Sequence, residues 1–185
     1  RHTLSVVDNC KSDKFEIKLA ALLHDIGKPD TKAVGEDGYD HFVGHPEVSA
    51  KIAASVISKD LRLTNDERDL TIGLVREHDK NFSISEKRLR KAILEHGEPF
   101  LRDLMVLQQA DFDDHIIPKD IKPAAMENWH TSKEKTEQMF ADIKASDSVF
   151  SMRDMNINGN DLKDMGFIGP QIGSTLKDML ERVAT

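Results

Sequence analysis

The sequence predicts an all-α protein. Three observations carry that prediction. Apolar residues recur at helical spacing along most of the chain, glycine and proline gather in a few short segments, and no stretch sustains the alternation of a half-buried strand. A chain of 185 residues, 38% hydrophobic and 32% charged, can bury a sizeable core without covalent staples.

The elements follow in order. A first helix is expected over residues 2–10 and a second over 14–27, where Phe15, Leu19, Leu22, Leu23 and Ile26 keep helical spacing. Ala20 and Ala21 lie on the side away from Phe15, so this second helix is expected to be buried nearly all round. "KPDTKAVGEDGYDHFVG" breaks the pattern with Pro29, Gly35 and Gly38 and reads as a loop. "HPEVSAKIAASVI" restarts a helix, with Pro46 in its first turn and Val48, Ile52 and Val56 as its stripe. Asn65 opens a helix that runs to about Asp79, and Ser85 caps the one after it. "EPFLRDLMVLQQADFDD" is a further helix, and Pro118 and Pro123 mark a connector. A polar helix is expected near 131–146, then a short glycine-bearing segment and a final helix from about 170. In that final helix Ile172, Leu176, Met179, Leu180 and Val183 form a core-packing stripe.

Composition narrows the function classes. The single cysteine, Cys10, forbids an internal disulfide and a thiolate metal site, and suits a reducing, cytoplasmic setting. No apolar run approaches the roughly 20 residues of a membrane span, so no membrane partner is expected. The net charge of −7 argues against coating nucleic acid by bulk charge. The run "SEKRLRK", with Lys87, Arg88, Arg90 and Lys91, reads as a solvated helix face, with phosphate-backbone contact as the alternative. The chain begins at Arg1 without a methionine and is expected to be a piece of a longer one.

Direction separates the polar residues that matter. "LAALLHDIGK" sets His24 and Asp25 in an apolar helical run, where an unpaired carboxylate is costly. Asp111 continues the face of Leu104 and Leu107, whereas Asp113 points to water. His78 shares the apolar sector of Leu74 and Val75, and His45 lies on the side of Val48. Five inward polar groups, His24, Asp25, His45, His78 and Asp111, therefore come from four helices. A divalent cation would offset the carboxylate charges and accept the imidazole lone pairs. This donor set suits Mn, Fe, Co, Ni or Zn.

These residues resemble the HD-domain metal-dependent phosphohydrolases. "RHTLSVVDN", "LAALLHDIGKP", "GHPEVSA", "REHD" and "LQQADFDDH" follow in that family's order. The resemblance implies a helical HD bundle over residues 1–118 and a metal site of His2, His24, Asp25 and Asp111. It adds His45 and His78 as the extra histidines of members that bind two metals, a group that includes dinucleoside polyphosphate hydrolases. The opening segment and the tail "INGNDLKDMGFIGPQIGSTLKDMLERV" are similar to the C-terminal half of bacterial CCA-adding tRNA nucleotidyltransferases and poly(A) polymerases. That likeness implies a helical C-terminal extension over 119–185 and tRNA as a partner. The nucleotidyltransferase head of those enzymes has no counterpart here, so nucleotide transfer by this chain is not expected.

What the family implies about chemistry is hydrolysis of a phosphoester on a nucleotide or RNA end, such as a 2′,3′-cyclic phosphate or a terminal phosphate, with one or two divalent ions. Asp25 would orient the nucleophile, and His45 and His78 would hold a second ion or donate hydrogen bonds to the phosphate. The HDxGK pattern gives Lys28 the role of neutralising that phosphate. The alternative for Lys28 is a charge favouring the helix C-terminus. A binding module that grips tRNA is the rival reading, and a hydrolase of free dinucleoside polyphosphates a weaker one. His41 stands four before His45, but Gly44 and Pro46 oppose a helical pair. His96, His115 and His130 are expected at the surface.

Overall fold

A computed structural model describes residues 1–81, 85–114, 122–146 and 155–184. Among these residues there are ten helices and one two-stranded hairpin, so the all-α expectation holds. The described chain divides into two units, Arg1–Lys80 with Pro99–Ile116, and Asn81–Glu98 with Ile117–Thr185. The expected division at 118/119 falls outside the described residues, as do Pro118 and His115.

The first unit is built from α1 (His2–Asn9), α2 (Phe15–Leu23), the single turn α3 (Lys28–Thr31), α4 (His45–Asp60), α5 (Asn65–Glu77) and most of α7 (Glu98–Asp114). Helix α4 packs on α5, and α2 packs on both α5 and α1. Ile17, Ala20, Ala21, Ala50, Ala53, Leu74, Val75, Leu104 and Leu107 form the interior. Four small alanines among them allow the helices to approach closely. Lys14, just before α2, reaches Asp103 on α7 with Nζ 2.8 and 2.7 Å from the two carboxylate oxygens. A fork of this kind compensates a carboxylate that is only 9% exposed.

Four expectations need correction here. The second helix ends at Leu23 rather than residue 27, because Ile26 N and Lys28 N bond carbonyls three residues back and the chain coils into a turn before α3. That helix is also not buried all round: Phe15, Leu22 and Ile26 are 54, 43 and 38% exposed, while Ile17, Ala20 and Ala21 take the core. The alanines face the neighbouring helices, since small side chains permit the tighter contact. In α4 the deeply buried face is Ser49, Ala50, Ala53 and Ile57, rotated from the expected stripe of Val48, Ile52 and Val56, which is half-buried. The expected loop also carries α3 and a short antiparallel hairpin, β1 (Ala33–Val34) with β2 (Asp40–His41), in register Ala33 to His41. Both strands are exposed, and at two residues each they are too short to show alternation.

The caps follow ordinary chemistry. Thr64 accepts from Glu67 N and Glu67 returns to Thr64 N, a capping box that starts α5. Ser85 caps α6 (Glu86–His96) as expected, by accepting from Arg88 N. Gly97, at φ 81°, ends that helix before Pro99 opens the next.

The second unit holds α6, α8 (Lys122–Ala145), α9 (Gly159–Asp164) and α10 (Pro170–Ala184). Helix α8 begins about nine residues before its expected start near 131, and Pro123 sits in its first turn instead of a connector, a position where a missing N–H costs nothing. Leu89, Ala92, Phe140, Ile143 and Leu162 are buried there. In α10, Ile172, Leu176, Met179 and Leu180 are half-buried, whereas Val183 is 63% exposed and leaves the expected stripe. The tail motif "NGNDL" has a structural task, because Asn158 caps α9 and Asp161 bonds back to Asn158 N at 2.7 Å. Of the basic run, Arg90 pairs with Glu86 and Lys91 with Glu181 at 3.0 Å. No helix among the described residues is long and apolar enough to cross a membrane.

The turn after α2 lies hard against α4. A Cβ on Gly27 would stand 2.6 Å from Ser49 N, 2.9 Å from Ser49 Oγ and 3.0 Å from His45 O. The backbone there, φ −87° and ψ −5°, is open to any residue, so the constraint is steric alone. Gly27→Ala is expected to cost about 1–3 kcal/mol by overpacking, read as a shift of the denaturant midpoint. An unchanged midpoint would show that the turn can move off α4.

Candidate metal centre

Two of the histidines end helices. His24 is the C-cap of α2 and His78 the C-cap of α5. The last carbonyls of a helix lack intrahelical partners, and each ring supplies one. His24 Nδ1 donates to Ala21 O at 2.8 Å, and His78 Nδ1 to Val75 O at 2.7 Å. His45, the first residue of α4, follows Gly44 at φ 79°, and its Nδ1 donates to Phe42 O at 2.9 Å. A carbonyl only accepts, so each Nδ1 carries a hydrogen, and in the neutral ring Nε2 holds the lone pair a metal would take.

Those three Nε2 atoms turn toward Asp25. Its Oδ1 lies 3.3 Å from His45 Nε2 and 3.7 Å from His78 Nε2. Its Oδ2 lies 3.3 Å from His24 Nε2, 3.5 Å from His2 Nε2 and 2.6 Å from Lys28 Nζ. Asp111 Oδ1, at the end of α7, sits 3.2 Å from His2 Nε2 and 3.6 Å from His24 Nε2. All six residues proposed as ligands thus share one pocket in the first unit. They form two groups, His2, His24 and Asp111 in one and Asp25, His45 and His78 in the other, with donor atoms within 4.8 Å of one another in each.

The pocket has the electrostatics of a cation site. His45 Nε2 and His78 Nε2 stand 3.1 Å apart, two acceptors face to face unless one ring is charged. Burial pushes His78 below its ordinary value, which disfavours that charge, although the bond to Val75 opposes it. Buried His24 Nε2 and Asp25 Oδ1 have no well-directed hydrogen-bond partner. The short distances from His24 to the two carboxylates are therefore charge contacts more than directed hydrogen bonds. Burial lowers the His24 pKa, yet Asp111 and Asp25 outweigh it and raise it to about 9. Burial alone would raise Asp25, but His24 and then Lys28 hold it well below the usual carboxylate range. The protein demands positive charge at this point. A divalent ion suits a nitrogen and oxygen donor set whose lone pairs already converge.

The remaining expectations sort clearly. Lys28 is half-buried, ion-paired to Asp25, and 5.8 Å from the Phe42 ring centroid. Asp113 is exposed as expected and accepts from Gln109. His41 bonds Asp37 on the exposed hairpin and joins neither group. His130 is exposed on α8, and His96 is half-buried on α6. Two supporting residues escaped the sequence. Gln108 Nε2 donates to His78 O and Lys80 O, both at 2.9 Å, which pins the chain beyond His78. Asp114 Oδ2 lies 2.6 Å from His2 Nδ1. The counting that placed Asp111 inward puts Asp114, three residues on, beside it, so that contact was open to the same test.

Residues 2–114 match the HD domain family, a span that holds every ligand candidate. The chain belongs to the HD domain family. HD domains bind divalent metals, and the two His/Asp groups here could hold them. The CC-adding tRNA nucleotidyltransferase of Thermus thermophilus is 30% identical over 188 residues, 99% of this chain and 40% of its own length. The multifunctional CCA proteins of Dechloromonas aromatica and of a Janthinobacterium species are 35 and 38% identical over 79 residues, 42% of this chain and 18% of theirs. This HD chain therefore spans well under half the length of these relatives. No solved structure matches.

The charge demand has a pH signature in metal-free protein. His24 is raised above its ordinary 6.5, so its stabilising effect is complete below that value and is lost as pH rises through about 9. Asp25 is lowered, so its effect is present above its ordinary 3.8 and fades only in strong acid. With chelator present, wild-type stability is expected to fall between pH 6.5 and 9, and His24→Gln to flatten that slope. Equal slopes in both proteins would contradict the pairing.

Proposed function

We propose that this HD chain is a metal-dependent phosphohydrolase that cleaves a phosphoester of a nucleotide or RNA end, a 2′,3′-cyclic phosphate or a terminal phosphate being suitable substrates. The observation that supports it is the set of Nδ1-anchored histidines whose Nε2 atoms face Asp25. His2, His24 and Asp111 would hold one divalent ion, and Asp25, His45 and His78 a second. An ion in such a site acidifies water and neutralises phosphate charge.

The chain's own groups supply the rest. Asp25, in reach of both groups, would orient the attacking water by accepting a hydrogen bond from it. Lys28 Nζ, at the edge of the pocket and 35% exposed, can leave Asp25 for a phosphate oxygen and offset its charge. His45 and His78 fix the opposite side of Asp25, and a ring protonated at Nε2 as well can donate to the phosphate when no second ion is present. The buried walls around His24 exclude bulk water, which strengthens each of these interactions.

A second reading, a surface that contacts tRNA, is favoured by one observation. The similarity to the Thermus CC-adding enzyme runs over 99% of the chain and so takes in the C-terminal helices as well as the HD region. Both readings place the protein among phosphate-handling, RNA-directed proteins, and a cytoplasmic setting accords with them.

Metal analysis of the purified chain, then hydrolysis of bis-p-nitrophenyl phosphate and a 2′,3′-cyclic nucleotide with added Mn²⁺ or Co²⁺, tests the first reading. Turnover is expected, and Asp25→Ala should lose about 100-fold or more with its helical circular dichroism retained, since even outer-shell changes at metal sites cost up to about that much. Full activity in Asp25→Ala would refute the role given to Asp25. Tight tRNA binding by a metal-loaded chain that hydrolyses neither phosphoester would favour the second reading.

A further inference from the structure

We propose that Asp114 is a positioning residue that orients His2 for metal binding. The inference rests on the reading of the pocket as a metal centre. Nothing in the family match singles out Asp114.

The argument starts from an inequality among the four imidazoles. His24, His45 and His78 each give the Nδ1 hydrogen to a backbone carbonyl three residues earlier, within 2.7–2.9 Å. His2 opens α1, so no helical carbonyl lies behind it. Instead Asp114, in the last turn of α7, lies 2.6 Å from Nδ1 across 112 residues of sequence. Asp114 Oδ2 accepts from Nδ1, which turns His2 Nε2 to within 3.2 Å of Asp111 Oδ1 and 3.5 Å of Asp25 Oδ2. Ser5, one turn beyond His2 on α1, also helps to hold the Asp114 carboxyl below its ordinary range, so the group stays an ionised acceptor.

A carboxylate acceptor does more than a carbonyl. It fixes the tautomer, and its charge makes the far nitrogen a better donor to a cation. His2 is also the most exposed of the four, at 37%, and so the ligand with the least packing to hold it. Helix α1 is short, eight residues, and its N-terminus is the part most in need of an anchor. Asp114 supplies what burial supplies to the other three.

The test is Co²⁺ affinity, measured by competition with a chromophoric chelator and by the visible Co²⁺ spectrum. Asp114→Ala should weaken binding by about 10–100-fold, the range typical of outer-shell partners of metal-bound histidine. Asp114→Asn keeps an acceptor for Nδ1–H and should recover part of that loss. Chelator-treated Asp114→Ala should keep the helical circular dichroism of wild type, so that a lost affinity is not read from an unfolded chain. In metal-free protein at pH 8, the imidazole ¹⁵N signals of His2 should report the Nδ1–H tautomer in wild type and a mixed population in Asp114→Ala. Wild-type Co²⁺ affinity in Asp114→Ala, or an Nδ1–H tautomer that persists without Asp114, would overturn the proposal alone. Failure of wild type to bind Co²⁺ would overturn it together with the metal-centre reading. Should Asp114→Ala fail to fold, Asp114→Asn carries the affinity test: a partial loss is expected, and wild-type Co²⁺ affinity would overturn the role given to the carboxylate charge.

Discussion

The bond from an imidazole Nδ1–H to a backbone carbonyl is the interaction on which the site depends. At His24 and His78 it serves two purposes at once. It satisfies a carbonyl that the end of a helix leaves unpaired, and it fixes the ring with its other nitrogen turned inward. At His45 the same bond is made to the turn that precedes the helix. Helix ends are therefore where ligands belong in this fold. The ends of α2 and α5 and the start of α4 meet at Asp25, and their positions follow from the packing of α2 and α4 on α5. Gly27 is part of the same economy of space, because only a glycine lets the turn after Asp25 lie against Ser49 and bond its hydroxyl through N–H at 2.9 Å.

Much of this was legible in the sequence. Helical spacing gave the fold class and most element positions, and directional counting put His45, His78 and Asp111 on inward faces, while buried His24 followed only from the all-round burial that Phe15, Leu22 and Ile26 do not share. The misses have physical causes. The exposure of Phe15, Leu22 and Ile26 is masked by the run Leu19–Leu23, which carries no polar residue; only Lys18, on the face of Phe15 and Leu22, marks the outside. The early start of α8 was hidden by Pro123, which reads as a break but is harmless in a first turn. The backbone anchors on Nδ1 have no sequence signal, because any residue carries a carbonyl. Asp114 is different. Three residues past Asp111, it lies on the same inward face, so helical spacing does mark it.

Membership of the HD family and likeness to tRNA nucleotidyltransferases bear on different parts of the chain. The HD match ends at residue 114, and every residue of the candidate centre lies within it. The second unit, beyond that match apart from α6, makes its strongest polar contacts for structural ends: the capping box at Asn158, the Lys91 to Glu181 pair, and Arg90 on Glu86. With Lys91 and Arg90 so engaged, the basic run on α6 is less available to phosphate than its sequence implies. The chemistry therefore concentrates in the first unit. There two aspartates and four histidines meet around a demand for positive charge that Lys28 meets only in part.

The most direct test of this account is anomalous diffraction from crystals of the chain grown with Co²⁺ or Mn²⁺. The account predicts a metal peak in the pocket about 2.0–2.2 Å from the Nε2 atoms of its histidine ligands, with each Nδ1 still on its carbonyl. A pocket that stays free of metal at saturating Co²⁺, with the imidazoles turned to hydrogen-bond Asp25 and Asp111 directly, would contradict it.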